Sequence, residues 1–265
     1  SSTWHASSFA PQAVRRFRAR TRPTHPRSMR PEPPKRPMHR PPPTQGETIR
    51  RRACRAARAN RAVTATGAAD LAALRIGVVI DLRSEMERRQ DTSANLLPGA
   101  VRVLLPIHGG SRSSMIEDGP VTLVSLYRQV LRDSAWAIAT AVGVIADSGT
   151  QPVLVHCTAG KDRTGLVVAL ALEAAGVERS AVVADYTQSA LNLDGAWTNN
   201  AMSAMVSLGV PISPQLFEAL GGSPDHAMTT VLGWLDKEYG STVGYLTAHG
   251  LLPESVVELR EKLVG

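Results

Sequence analysis

The chain has 265 residues, enough for one substantial core or two small ones. Its formal charge of +7 averages two unlike segments: residues 1–62 hold 16 of the 30 Lys and Arg against two acids, Glu32 and Glu47, while the other 14 basic residues face 21 acids. No apolar run reaches the ~20 residues needed to cross a bilayer, no signal-peptide core opens the chain, and two cysteines are too few for a disulfide scaffold, so composition points to a cytoplasmic soluble protein, with non-classical export left open.

Residues 1–62 carry ten of the 18 prolines and almost nothing aliphatic. A segment that cannot offset its ordering entropy by apolar burial is expected to be disordered. It is either a basic arm that touches anionic surfaces or a tail without function. The folded domain is expected over 63–265, with no nucleic acid as its partner. Thr64 or Thr66 can cap a helix through 68–75, stopped by Gly77. Val78 to Ser84 then reads as a central strand whose charged end, Asp81 and Arg83, arrives at a site. Val101 to Ile107 is a further strand, and the Gly- and Ser-rich stretch from His108 to Gly119 is a candidate lid, with His108 a possible proton source. Helices are expected at 120–132 and 134–146; the stripe of Leu123, Leu126, Tyr127, Val130 and Leu131 belongs to the core.

Pro152-Val153-Leu154-Val155 reads as a short buried strand, and Leu166 to Gly176 as a helix. Between them lies His156-Cys157-Thr158-Ala159-Gly160-Lys161-Asp162-Arg163-Thr164-Gly165. A strand, a tight loop and a helix N-terminus around one cysteine suit a thiolate attacking a phosphate. The first amides of a helix have no intrahelical partner and, with the dipole, bind an anion. The same field favours thiolate over thiol. Arg163 would close the cradle with a bidentate fork, while Gly160 and Gly165 allow close backbone approach. A Walker phosphate loop does not fit, because position 155 is Val and position 162 is Asp. Further helices are expected at 178–193, 195–208, 213–220, 224–239, 241–249 and 253–263, and no metal-ligand spacing occurs among the seven histidines.

The decapeptide resembles the Cys-x5-Arg loop of the protein tyrosine phosphatase superfamily, and its Gly-Lys-Asp-Arg-Thr-Gly ending resembles the bacterial tyrosine and phosphoinositide phosphatases. Asp81-Leu82-Arg83-Ser84, Asp185-Tyr186 and the stretch from Leu232 to Ser241 are similar to further segments of that family. The likeness covers about 66–265 and fades before residue 76, where Ile49 to Arg55 departs from the family's opening strand. It implies an α/β domain with a central, mostly parallel sheet flanked by helices and a helical C-terminal part. It implies hydrolysis of phosphotyrosine, with phosphoserine, phosphothreonine or phosphoinositide as wider substrates, through a phosphocysteine and without a cofactor or metal.

Within that scheme Cys157 is the nucleophile. The amides of Thr158, Ala159, Gly160, Lys161, Asp162 and Arg163, with the Arg163 guanidinium, hold the phosphate. His156 positions the loop, and Thr164 gives a hydroxyl to the thiolate. No Trp-Pro-Asp tripeptide supplies the usual acid, so the resemblance points to Asp162, then Asp81, then Asp185. Asp81 and Arg83 read equally as a structural ion pair, and Lys161 either meets a phosphoinositide head group or supports the dianion. A phosphate-binding module without turnover and a rhodanese-type sulfurtransferase are the alternatives.

Overall fold

The computed structural model describes residues 71–89, 99–108, 122–191 and 221–265, the backbone of a strand at 54–58, and isolated positions between them. The segment up to residue 53, residues 109–121 with all but the first residue of the candidate lid, the expected helix at 213–220 and most of that at 195–208 lie outside the described residues.

Among the described residues four strands form one parallel sheet: β1 (Cys54–Arg58), β2 (Val78–Asp81), β3 (Val101–Leu104) and β4 (Val153–Cys157), in the order β1-β4-β2-β3. The charged end of β2 lies beside the end of β4, since Ile80 is level with Val155 and Asp81 with His156. All residues of β2 and β4 are buried, the continuous apolar pattern of a strand covered on both faces. β3 is an edge strand and keeps Val101 and Leu104 exposed.

β1 corrects the expected boundary. Its residues fall inside the segment expected to be disordered, yet they pair in parallel along the whole of β4, from Cys54 opposite Val153 to Arg58 opposite Cys157. Ala and Arg carry little strand preference, so local propensity hides this strand; the unsatisfied edge of β4 recruits it through backbone hydrogen bonds.

Eight helices follow among the described residues: α1 (Glu85–Arg89), α2 (Leu123–Asp133), α3 (Ala135–Ala146), α4 (Asp162–Ala174), α5 (Arg179–Leu191), α6 (Asp225–Tyr239), α7 (Thr242–Ala248) and α8 (Pro253–Leu263). Thr122 and Ser125 start α2 with a reciprocal capping box, and Pro253 opens α8. Successive strand residues face opposite sides. Val78, Ile80, Val153 and Val155 enter the main core with α2 to α8, whereas Val79 and Leu154 meet Leu71 and Ile76 in a smaller cluster. The core therefore holds β4 and α4 from both sides, and the loop joining them is pinned at each end.

Candidate active site

Cys157 closes β4 and is 2% exposed. The chain turns through Thr158, Ala159 and Gly160, whose φ of 67° lies in the left-handed region that glycine alone adopts without strain. The Gly160 N–H donates to Cys157 Sγ at 3.3 Å. α4 begins at Asp162, four residues before the expected Leu166, so Arg163 and Thr164 ride on its first turn. Its N-cap, Lys161, supplies no side-chain acceptor. The helix therefore presents its first amides and its positive end beside the sulfur.

Arg163 is locked by a residue the motif does not contain. Its Nη1 donates to Glu87 Oε2 at 2.9 Å and its Nη2 to Glu87 Oε1 at 2.6 Å. Nη1 also reaches the Ile107 carbonyl at 3.2 Å, and the Thr158 hydroxyl donates to Glu87 Oε1. Burial pushes the Glu87 carboxyl up, but Arg163, Thr158 and the Ser84 amide outweigh it and hold the group well below the usual carboxylate range. Burial opposes the charge on Arg163, yet Glu87, Cys157 and Asp162 overcome this and keep it firmly protonated. Glu87 is placed by a capping box: Ser84 N donates to Glu87 Oε2 at 2.8 Å, and Glu87 N donates to Ser84 Oγ at 3.3 Å. The signal was present in the sequence as Ser84-Glu85-Met86-Glu87, the Ser-x-x-Glu pattern of a helix start.

Behind the loop, Asp81 accepts from the Arg83 backbone N–H at 3.0 Å, Nε at 2.9 Å and Nη2 at 2.8 Å. His156 Nε2 lies 3.7 Å from Asp81 Oδ2. Burial would raise the Asp81 carboxyl, but Arg83 and His156 bring it below its ordinary value. Burial, aided by the charges of Arg83 and Arg102, lowers His156 despite Asp81, so the ring is neutral near pH 7. Asp81, Arg83 and His156 thus form a supporting layer.

In front, Asp162 Oδ1 accepts from Tyr127 Oη at 2.6 Å and lies 3.2 Å from Lys161 Nζ. Lys161 is fully buried, and its Nζ also donates to the Gly222 carbonyl at 2.7 Å. Tyr127 Oη is 2.8 Å from Tyr186 Oη, and the rings meet edge to face. A Cβ on Gly165 would come within 3.1 Å of the Tyr186 ring, which explains glycine there. Thr164 is fully buried, and among the described residues its hydroxyl has no hydrogen-bond partner. Asp185 lies buried on α5 beside Tyr186, and His108 is exposed at the end of a described segment. Among the described residues no group of His, Cys, Asp and Glu could hold a metal ion, and no helix is long and apolar enough to cross a membrane.

With strand, loop and helix so arranged, comparison with known proteins is decisive. A model described as the tyrosine phosphatase family matches residues 36–265. The chain belongs to that family. It is 31% identical to the triple specificity protein phosphatase PtpB of Mycobacterium tuberculosis over 166 residues, 59% of this chain and 60% of that protein. It is also 31% identical to a tyrosine-protein phosphatase of Nostoc commune over 202 residues, 73% of this chain and 68% of that one. The match thus spans about three fifths of the mycobacterial protein's length. Membership of the tyrosine phosphatase family sets aside the sulfurtransferase alternative, and the match includes β1, which the resemblance at residues 66–265 had left out.

Proposed function

We propose that this chain is a cysteine-dependent phosphatase that hydrolyses phosphate monoesters through a phosphocysteine, with phosphotyrosine as the first substrate class. The observation that carries this is the Cys157 sulfur held by the Gly160 amide at the uncapped start of α4, with Arg163 on the first turn of that helix. The Cys157 thiolate attacks phosphorus in line, the Sγ–P bond forms, and the P–O bond to the leaving group breaks as that oxygen takes a proton from Asp162. Water then attacks phosphorus, Asp162 receives its proton, the Sγ–P bond breaks, and inorganic phosphate and the thiolate are released.

Arg163 has five N–H donors. Glu87 and the Ile107 carbonyl take the end of the guanidinium, and Nη2 also makes a long 3.5 Å contact with Thr158 Oγ1, so Nε–H meets the phosphate and Nη2 completes a side-on fork by exchanging that contact for a phosphate oxygen. The lone Thr164 hydroxyl is the donor for the thiolate as it leaves the phosphoenzyme. Asp162 is preferred to Asp81 as the acid because Asp81 is buried and bound three times by Arg83, whereas the Asp162 side chain is 36% exposed. Lys161, turned onto Gly222, acts as an internal brace of the loop. The names of both relatives favour phosphoproteins, and the mycobacterial one favours a range wider than phosphotyrosine.

The test is a panel of phosphotyrosine and phosphoserine peptides and phosphoinositides, with Cys157→Ser as control. Vanadate-sensitive turnover that Cys157→Ser abolishes is the expected outcome. Undiminished turnover by Cys157→Ser defeats the thiolate mechanism, and phosphate binding without turnover by the unmodified chain makes it a binding module. Asp162→Asn should cost about 10²–10⁴-fold on alkyl phosphates and far less on 4-nitrophenyl phosphate, whose leaving group needs little protonation.

A further inference from the structure

Asp162 is held in a way that the phosphate loop alone does not explain. Both donors that reach its carboxyl among the described residues, Tyr127 Oη and Lys161 Nζ, land on the same oxygen, Oδ1. Tyr127 comes from α2, 35 residues upstream, and is 1% exposed. As a pure core residue it would be served equally well by Phe; a buried phenol needs a partner for its hydroxyl. That hydroxyl has a defined direction. An ionised carboxylate only accepts, so Tyr127 donates to Asp162 and its oxygen in turn accepts from Tyr186, 2.8 Å away. The chain Tyr186 to Tyr127 to Asp162 is therefore polarised towards the carboxyl. Burial, and the neighbouring Asp162 and Tyr186, push the Tyr127 phenol well above its ordinary value, so it stays a donor at any working pH.

We propose that Tyr127 is a positioning residue for the proton donor: it pins Oδ1 of Asp162 so that the transferable proton resides on Oδ2, at a fixed place relative to the leaving-group oxygen. This rests on the reading of Asp162 as the acid. With Oδ1 accepting two donors, a proton there would displace one of them, so the neutral acid carries it on the other oxygen. α2 thereby acts on leaving-group departure while lying outside the phosphate cradle, and Tyr186, set against Gly165, holds the phenol from α5.

The experiment compares Tyr127→Phe, Tyr186→Phe and Asp162→Asn on an alkyl phosphate and on 4-nitrophenyl phosphate, with inorganic phosphate as competitive inhibitor. Tyr127→Phe should lose about tenfold in kcat/KM on the alkyl ester and under about twofold on the aryl ester, a penalty typical of a displaced catalytic group. The inhibition constant of inorganic phosphate should stay within about twofold, because the cradle is untouched. Tyr186→Phe should show the same discrimination at smaller amplitude, and it serves as the test if Tyr127→Phe does not fold. Equal losses on both esters by the tyrosine variants, while Asp162→Asn still discriminates, overturn the positioning role alone. Failure of Asp162→Asn to discriminate overturns the assignment of the acid, and the positioning role with it.

Discussion

Arg163 and Glu87 meet as two planar groups end to end, 76 residues apart in the chain. Such a contact orders the guanidinium before any ligand arrives, so the entropy of fixing a long side chain is not charged to phosphate binding. Glu87→Gln removes one charge and one acceptor, and kcat/KM should fall about tenfold, mostly through KM and with weaker inhibition by inorganic phosphate. Because the Glu87 carboxyl is held below the usual range, the pair is complete above the ordinary carboxylate pKa and is lost only as pH falls through that depressed value. Steady-state rates should accordingly show no Glu87-dependent change between about pH 5 and 8. The decapeptide was legible because its chemistry is local in sequence. Glu87 was not, because its capping pattern announces a helix start and says nothing of the distant arginine that the same carboxylate receives.

The helices divide glycines that must stay from those that need not. Gly165 on α4 faces the Tyr186 ring, which is buried, hydrogen-bonded and unable to retreat. Gly165→Ala gains up to about 1 kcal/mol of helix propensity but must push that ring aside, so melting temperature should not rise and activity should fall. Gly233 on α6 has nothing among the described residues within 4 Å of its missing Cβ. Gly233→Ala should stabilise by roughly 0.5–1 kcal/mol in urea unfolding and leave kcat/KM unchanged. A loss of stability at Gly233 would contradict the described packing. Helix existence was largely readable from apolar spacing, since α8 spans the expected 253–263 and α2, α3 and α6 fall within a few residues of expectation. The start of α4 was not, because polar Asp162, Arg163 and Thr164 look like loop until a phosphate-binding turn carries them into the first helical turn.

Across the whole molecule, stability is tied to pH through the layer behind the loop. His156 has its pKa lowered by burial, so the unfolded chain takes up a proton first as pH falls through its ordinary value of about 6.5. Stability is full above that value and declines towards the lower folded one, by at most about 1.4 kcal/mol per pH unit for one proton. His156→Asn should flatten this slope between pH 7.5 and 5.5 in urea titrations, windows chosen about one unit either side of the ordinary value. An unchanged slope would show that other groups carry it. The α/β class could be inferred from one strand-loop-helix unit and a resemblance. The order β1-β4-β2-β3 could not, because it depends on which edges remain unpaired after the chain has crossed over, and neither spacing nor composition records that.

The register between β1 and β4 also fixes how the chain's two thiol positions stand to each other. Cys54 is level with Val153, four residues before Cys157 on the neighbouring strand. At ~3.3 Å per residue the two α-carbons are offset by roughly 13 Å along the strands, about twice the span a disulfide bridges. An oxidised Cys157 therefore has no resolving partner within these 265 residues of the folded chain. A sulfenic acid formed there is recovered as a disulfide only through a thiol from another molecule, so the redox fate of this site is set by its surroundings and not by its own fold.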